Sequence, residues 1–162
     1  MLALAWLVGL ALLALVFQQR LDREHNPNPQ PEARRTVEGG LQVVLAPNRQ
    51  HHYVTGATIN GQPVVLLVDT GASNVVIPAR IAATMDLPRL GRGHALTANG
   101  RTRVIHTRLA EIRIGPIVLR DIPAAIAEGY DAHEILFGMS ALRHLNFRSE
   151  DGALVLEQPP LP

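Results

Sequence analysis

Cysteine is absent from the chain. That excludes a disulfide framework, thiolate metal ligands and thiol catalysis, and it leaves the redox compartment open. Aromatic residues are scarce, at 4%, so there is little from which to build a base-stacking platform. Charge of one sign is also missing: 15 Lys and Arg stand against 14 Asp and Glu, too even a balance to draw in or repel nucleic acid. No His-Glu-x-x-His string occurs. His51 and His52, read as neighbours on a strand, point to opposite faces and cannot chelate one ion. In Gly91-Arg92-Gly93 the strand-then-helix setting of a phosphate loop is lacking. Neither metal nor cofactor is expected, and no nucleic-acid partner.

Long hydrophobic runs are limited to one. Residues 2–17 are apolar without interruption, and at helical rise they span about 25 Å, slightly less than a ~30 Å hydrocarbon core. Gln18 and Gln19 extend the run to an interface, with Trp6 as an aromatic anchor. A cleaved signal peptide would need a basic start and a small-x-small site after Phe17, and neither is there. Residues 1–19 therefore read as a transmembrane anchor. Arg20 and Arg23 follow it and no basic residue precedes it, which points the remainder to the cytoplasm. Residues 20–40 read as a Pro-rich linker. Asn26-Pro27-Asn28-Pro29-Gln30-Pro31 can form neither helix nor central strand, and predicts an extended spacer with no core of its own.

With 162 residues, the chain has room for one domain besides this tail. Residues 41–162 show short β-runs with turn punctuation and no internal repeat. Strands are predicted over residues 41–46, 53–59, 64–68, 75–77, 110–114, 117–119, 124–127 and 153–156, with helices after Pro78 and over 140–145. Asn60-Gly61 reads as a two-residue hairpin. Asn99-Gly100 reads as another, placing His94 across from Ile105 and His106 on the opposite face. Arg101, Arg103 and Arg108 read as a solvated face. This pattern is all-β with short helices, closed or orthogonally packed.

One string carries chemistry. The apolar run Val64-Val65-Leu66-Leu67-Val68 delivers Asp69 into a tight turn, Asp69-Thr70-Gly71-Ala72-Ser73. A carboxylate at a strand end can be reached by substrate, although an Asp in a turn also serves simply to bond the backbone. A second apolar run later in the chain ends in glycine, Ile135-Leu136-Phe137-Gly138, before a helix-like stretch.

With these residues the chain resembles the retropepsin-like aspartic proteases, especially the bacterial membrane-anchored group with a single lobe and an Asp-Thr-Gly-Ala motif. Asp69, Thr70, Gly71 and Ala72 match the catalytic string. Leu136, Phe137 and Gly138 match the second apolar-Gly element, and the hairpin tip at Ala98, Asn99 and Gly100 falls where that family has its flap. The resemblance implies a closed β-barrel lobe of the acid protease fold. It further implies Asp69 as the catalytic residue, a homodimer supplying two such carboxylates, and an extended peptide as substrate. It places the protease domain on the periplasmic side of a bacterial inner membrane, against the two arginines. Ser73 and Met139 stand where viral members have an Asp and an Arg that pair near the dimer interface, so the dimer contact must be built differently. A catalytically weak or inactive binding module of the same fold is the alternative. A sugar-kinase or actin-like phosphate site would need far more chain.

Overall fold

The computed structural model describes residues 2–36, 39–97 and 100–160. The elements run α1 (Leu2–His25), β1 (Glu32–Arg35), β2 (Leu41–Leu45), β3 (Val54–Ile59), β4 (Gln62–Val68), β5 (Val75–Pro78) and α2 (Ala79–Ala82). There follow β6 (Gly91–Thr97), β7 (Gly100–Ile114), β8 (Ile117–Ala127), β9 (Ile135–Phe137), α3 (Met139–Leu142), β10 (Asn146–Glu150) and β11 (Ala153–Gln158). From Leu41 onward the chain is β-structure with two helices of 4 residues each.

Seven strands form one sheet in the order β3-β4-β9-β5-β8-β7-β6, and four form another, β1-β2-β11-β10. Thr58 and Ile59 of β3 also pair with Arg113 and Ile112 of β7, so the larger sheet curls back on itself. The core lies inside that curl, where Leu66, Ile77, Leu109, Ile112 and Phe137 are fully or almost fully buried. The hairpin β7–β8 is long enough to serve both ends of the sheet because its pattern slips in the middle. Ile105, Thr107 and Leu109 face inward, then Ile112 and Ile114 do. The slip falls at Asp121, whose φ is 58° and whose carbonyl and carboxylate accept bonds from Arg108. Asp121 and Pro123 make β8 read as two strands in sequence; the Arg108 clasp lets one strand pass through.

Hairpin β3–β4 turns at Asn60-Gly61 as expected, with φ of 50° and 81° and Ile59 opposite Gln62. The second hairpin differs. Thr97 pairs with Gly100, so its two-residue loop lies one position earlier than expected; Ala98 and Asn99 are outside the described residues. A shift of one in the loop moves every partner by two. His94 consequently faces Arg103, and His106 faces Gly91. The His106 ring lies against Gly93, where an added Cβ would meet Nε2 at 2.6 Å. His51 and His52 are not on a strand: His51 has φ 61° in a turn.

Among the described residues no helix is long and apolar enough to cross a membrane. The expected transmembrane anchor is thus not met. Helix α1 does not stop with the apolar run but continues through Arg20, Asp22, Arg23 and Glu24 to His25. Its last turn is fastened to the β-domain, Glu24 to Arg49 at 2.8 Å and His25 to Glu134.

The Pro-rich segment is extended, as its prolines dictate, but it is docked along β3. Asn28 is only 6% exposed. Its side-chain amide donates to the carbonyls of Ala46 and Val54 at 2.8 Å each, and its oxygen accepts from the Ala46 amide. Gly56 donates to the Asn28 carbonyl, and a Cβ at Gly56 would run into the Pro29 backbone. Strand β1, also in this segment, pairs with β2.

Candidate active site

The parallel pairing of β4 with β9, Leu66 with Ile135 through Val68 with Phe137, fixes where β4 ends. The ladder is extended by one bond, from the Asp69 amide to the Phe137 carbonyl at 3.2 Å. After it the chain must turn. Asp69 Oδ1 accepts from the Gly71 amide at 2.8 Å, and the Ala72 amide donates to the Asp69 carbonyl at 3.3 Å. One carboxylate oxygen thus holds the turn together, as an Asp in a turn does. The residue is half-buried, and Thr70 and Gly71 are exposed.

The second apolar-Gly element clamps this turn from the side. Met139 donates to the Ala72 carbonyl at 2.8 Å and Ser140 to the Ser73 carbonyl at 3.0 Å. Gly138 sits where any side chain would collide, its Cβ position 2.5 Å from the Ala72 oxygen and closer still to that of Asn74. Only glycine permits such an approach of two backbones. Ser140, 4% exposed, ties three elements together. Its hydroxyl accepts from the Val75 amide at 2.9 Å and donates to the Pro123 carbonyl at 2.8 Å.

Asp69, Thr70, Gly71 and Ala72 are therefore brought together with Leu136, Phe137 and Gly138. Gly100 begins β7 on the far limb of the second hairpin. Positions 73 and 139 adjoin through their backbones, as the neighbouring bonds from Met139 and Ser140 show.

Two residues of this region escape a sequence reading. Ser140 looked like an ordinary helix residue. Tyr130 lies in the turn-forming stretch Gly129-Tyr130-Asp131, where a lone aromatic was the only signal. Burial, and then the carboxylates of Glu134 and Asp69, push its phenol above the ordinary tyrosine value. The loop of residues 128–134 that carries it joins β8 to β9 and is fastened at several points. Arg80 donates to the Ala132 carbonyl at 3.1 and 2.7 Å, Glu128 donates to the Arg103 carbonyl at 3.3 Å, and His25 holds Glu134.

Comparison with known proteins bears on the fold and the family. A crystal structure of a retropepsin-like aspartic protease from Rickettsia conorii superposes with a TM-score of 0.61 at 28% identity, over 72% of this chain and 90% of that one. A Sinorhizobium protein described as "Uncharacterized protein in cobV 5'region" is 38% identical over 111 residues, and the chain spans only 48% of that relative's length. Residues 55–144, from β3 through α3, match the family described as "gag-polyprotein putative aspartyl protease". The chain, retropepsin-like in fold, belongs to that aspartyl protease family.

Proposed function

We propose that the protein is an aspartic endopeptidase whose catalytic pair is Asp69 from each of two copies. The observation that carries this reading is the placement of Asp69. It stands half-buried at the end of β4, in a turn locked from behind by Gly138 and Ser140. Rigid support of that kind keeps a reacting group in position. One Asp-Thr-Gly string per chain supplies one carboxylate, so a two-fold axis must bring in the second.

Two carboxylates at contact distance cannot both ionise and hold one proton between them; the handling of that proton is the chemistry. The unprotonated carboxylate takes a proton from a water, which attacks the peptide carbon. The protonated one hydrogen-bonds and then protonates the carbonyl oxygen. Breakdown of the tetrahedral diol delivers a proton to the leaving amine. Thr70 and Gly71 are exposed beside Asp69, and Gly71 presents backbone without a Cβ to a partner copy or a substrate. β6 ends the strand order of its sheet, so an extended peptide can add to that edge.

Asp69→Asn keeps the shape of the turn and removes the shared proton chemistry. In the full chain it should lower kcat/KM on an unstructured peptide by on the order of a hundred- to ten-thousandfold, with the thermal midpoint little changed. Near-wild-type cleavage by the Asn variant would remove Asp69 from this role.

A further inference from the structure

Charge is balanced over the whole chain but not along it. Between Asp86 and Glu111 there is no acidic residue, while Arg89, Arg92, Arg101, Arg103 and Arg108 all fall in that stretch, with His94 and His106. The chain has no lysine, so its 15 permanent cations are all guanidinium groups, which grip carboxylates through paired N–H donors. The stretch folds mainly as the hairpin β6–β7. Its register sets His94 directly opposite Arg103 and Arg92 opposite Ile105, with Arg101 two residues before Arg103. Residues directly opposite, or two apart on one strand, share a face. Arg92, His94, Arg101 and Arg103 therefore stand together, and all four are exposed.

Like charges placed side by side across two strands weaken the pairing, so this ladder needs a reason. Charge on an edge strand guards against unwanted strand addition, which accounts for Arg92 on β6. It does not account for Arg103, which is flanked by His94 on one side and by the Glu128 amide on the other. Other surfaces of the chain neutralise their guanidinium groups: Arg113 and Arg120 share Glu111, and Arg148 holds both Glu150 and Glu157. On the hairpin face only Arg103 has a carboxylate, that of Glu128 at 3.4 Å. Arg92 and Arg101 have none among the described residues. Arg92, His94, Arg103 and Glu128 also line a cleft of about 380 Å³. Glu128 enters it as a tethered carboxylate and leaves the rest of the charge unanswered.

We infer, resting on the endopeptidase reading, that this arginine face of hairpin β6–β7 is a docking surface for an acidic segment of the protein substrate, remote from the bond that is cut. The surface belongs to the hairpin and not to the Asp69 turn, since β9, β5, β8 and β7 separate β6 from β4 in strand order. Carboxylates that displace Glu128 from Arg103 and reach Arg92 and Arg101 relieve the crowding of like charge, and opposite charge also speeds encounter. Polypeptide fits better than nucleic acid, because residues 87–110 include no Phe, Trp or Tyr on which a base could stack.

The test uses the full chain carrying Asp69→Asn, so that nothing is cut, and a labelled peptide of alternating Glu and Gly read by fluorescence anisotropy. Arg92→Gln, Arg101→Gln and Arg103→Gln together should weaken binding by about tenfold or more. Arg143→Gln, at an exposed arginine after α3, should leave it unchanged. Glu128→Gln removes the internal competitor and should tighten binding by about threefold. The substituted side chains are exposed, so thermal midpoints should hold, and the single variants carry the comparison if the triple one does not fold. Unchanged affinity in the arginine variants, or an equal loss from Arg143→Gln, overturns the inference. An oligonucleotide of equal charge that binds more tightly than the peptide assigns the face to nucleic acid and overturns it as well. With Asp69 restored, a Glu-rich extension on a cleavable peptide should lower KM and leave kcat unchanged, an effect lost in the arginine variants. No cleavage by the wild type, together with intact binding of the acidic peptide, would strike the endopeptidase reading and leave the docking face standing.

Discussion

Two glycines with ordinary backbone angles carry the sharpest residue-level test, because each faces another backbone and for a different reason. At Gly138 the obstructing atoms are the carbonyls of Ala72 and Asn74 in the Asp69 loop, which has nowhere to go. Gly138→Ala should cost about 2 kcal/mol or more and disable the site. At Gly56 the obstruction is Pro29, in a segment that can lift away. Gly56→Ala should cost about 1 kcal/mol and expose residues 26–31 to protease while the β-domain persists. Thermal melts and limited proteolysis of both variants would decide; similar behaviour of the two would refute the distinction. The proximity of Asp69 and Tyr130 is testable in the same way. Burial is the largest cause of the raised phenol, followed by Glu134 and Asp69. Asp69→Asn removes one negative neighbour, so Tyr130 should titrate at lower pH than in the wild type, though still above its ordinary value. NMR of the ring carbon bearing the hydroxyl reads this directly, and an unmoved titration would contradict it.

At the scale of elements, α1 is held by charge. Hydrogen bonds from Arg49 first, and Arg20 second, hold the Glu24 carboxyl below its ordinary value. A depressed folded-state value means the contribution is present above the unfolded glutamate value and lost as pH falls through the folded one. Acidification into that range should fray the last turn of α1 before the sheets loosen, read by amide exchange across residues 20–25. Salt should weaken the attachment, and Glu24→Gln should fray it already at neutral pH. No added fraying in the variant would show that the pairing does not secure the helix. Legibility from sequence follows a similar division between local and distant causes. β3, β4 and their Asn60-Gly61 turn were readable because period and turn chemistry are local. β1 and β10 were not, since every residue in both is exposed and only pairing with β2 and β11 makes them strands. The hairpin register was missed by one loop position because Gly100, with φ 101°, serves the strand end rather than the turn. Asn28 gave no local sign that its side chain would be buried against chain far ahead of it.

For the whole molecule, the decisive quantity is copy number. Each chain carries one Asp69, so specific activity should rise with enzyme concentration and then level off as the dimer saturates. Ser73 and Met139, whose loops are joined by backbone bonds within one chain, are both uncharged. That contact adds no charge attraction between copies, which favours a dimer that separates on dilution. Sedimentation alongside initial rates would test this. Full activity from a verified monomer would overturn the two-copy site.

The pairing of β2 with β11 joins Leu41–Leu45 to residues 154–158, and that of β4 with β9 joins Leu66 to Ile135, a shorter reach that is still far beyond any local turn. During synthesis β2 emerges first and stays without its central partner until residues 153–158 have been made. The Asp69 turn also waits for Gly138. A growing chain therefore cannot support the Asp69 turn before Gly138 emerges, and it displays β2 without β11 for longer still. Ordering the polypeptide in this way makes the geometry around Asp69 a long-range property, formed only when chain far ahead of it has been made.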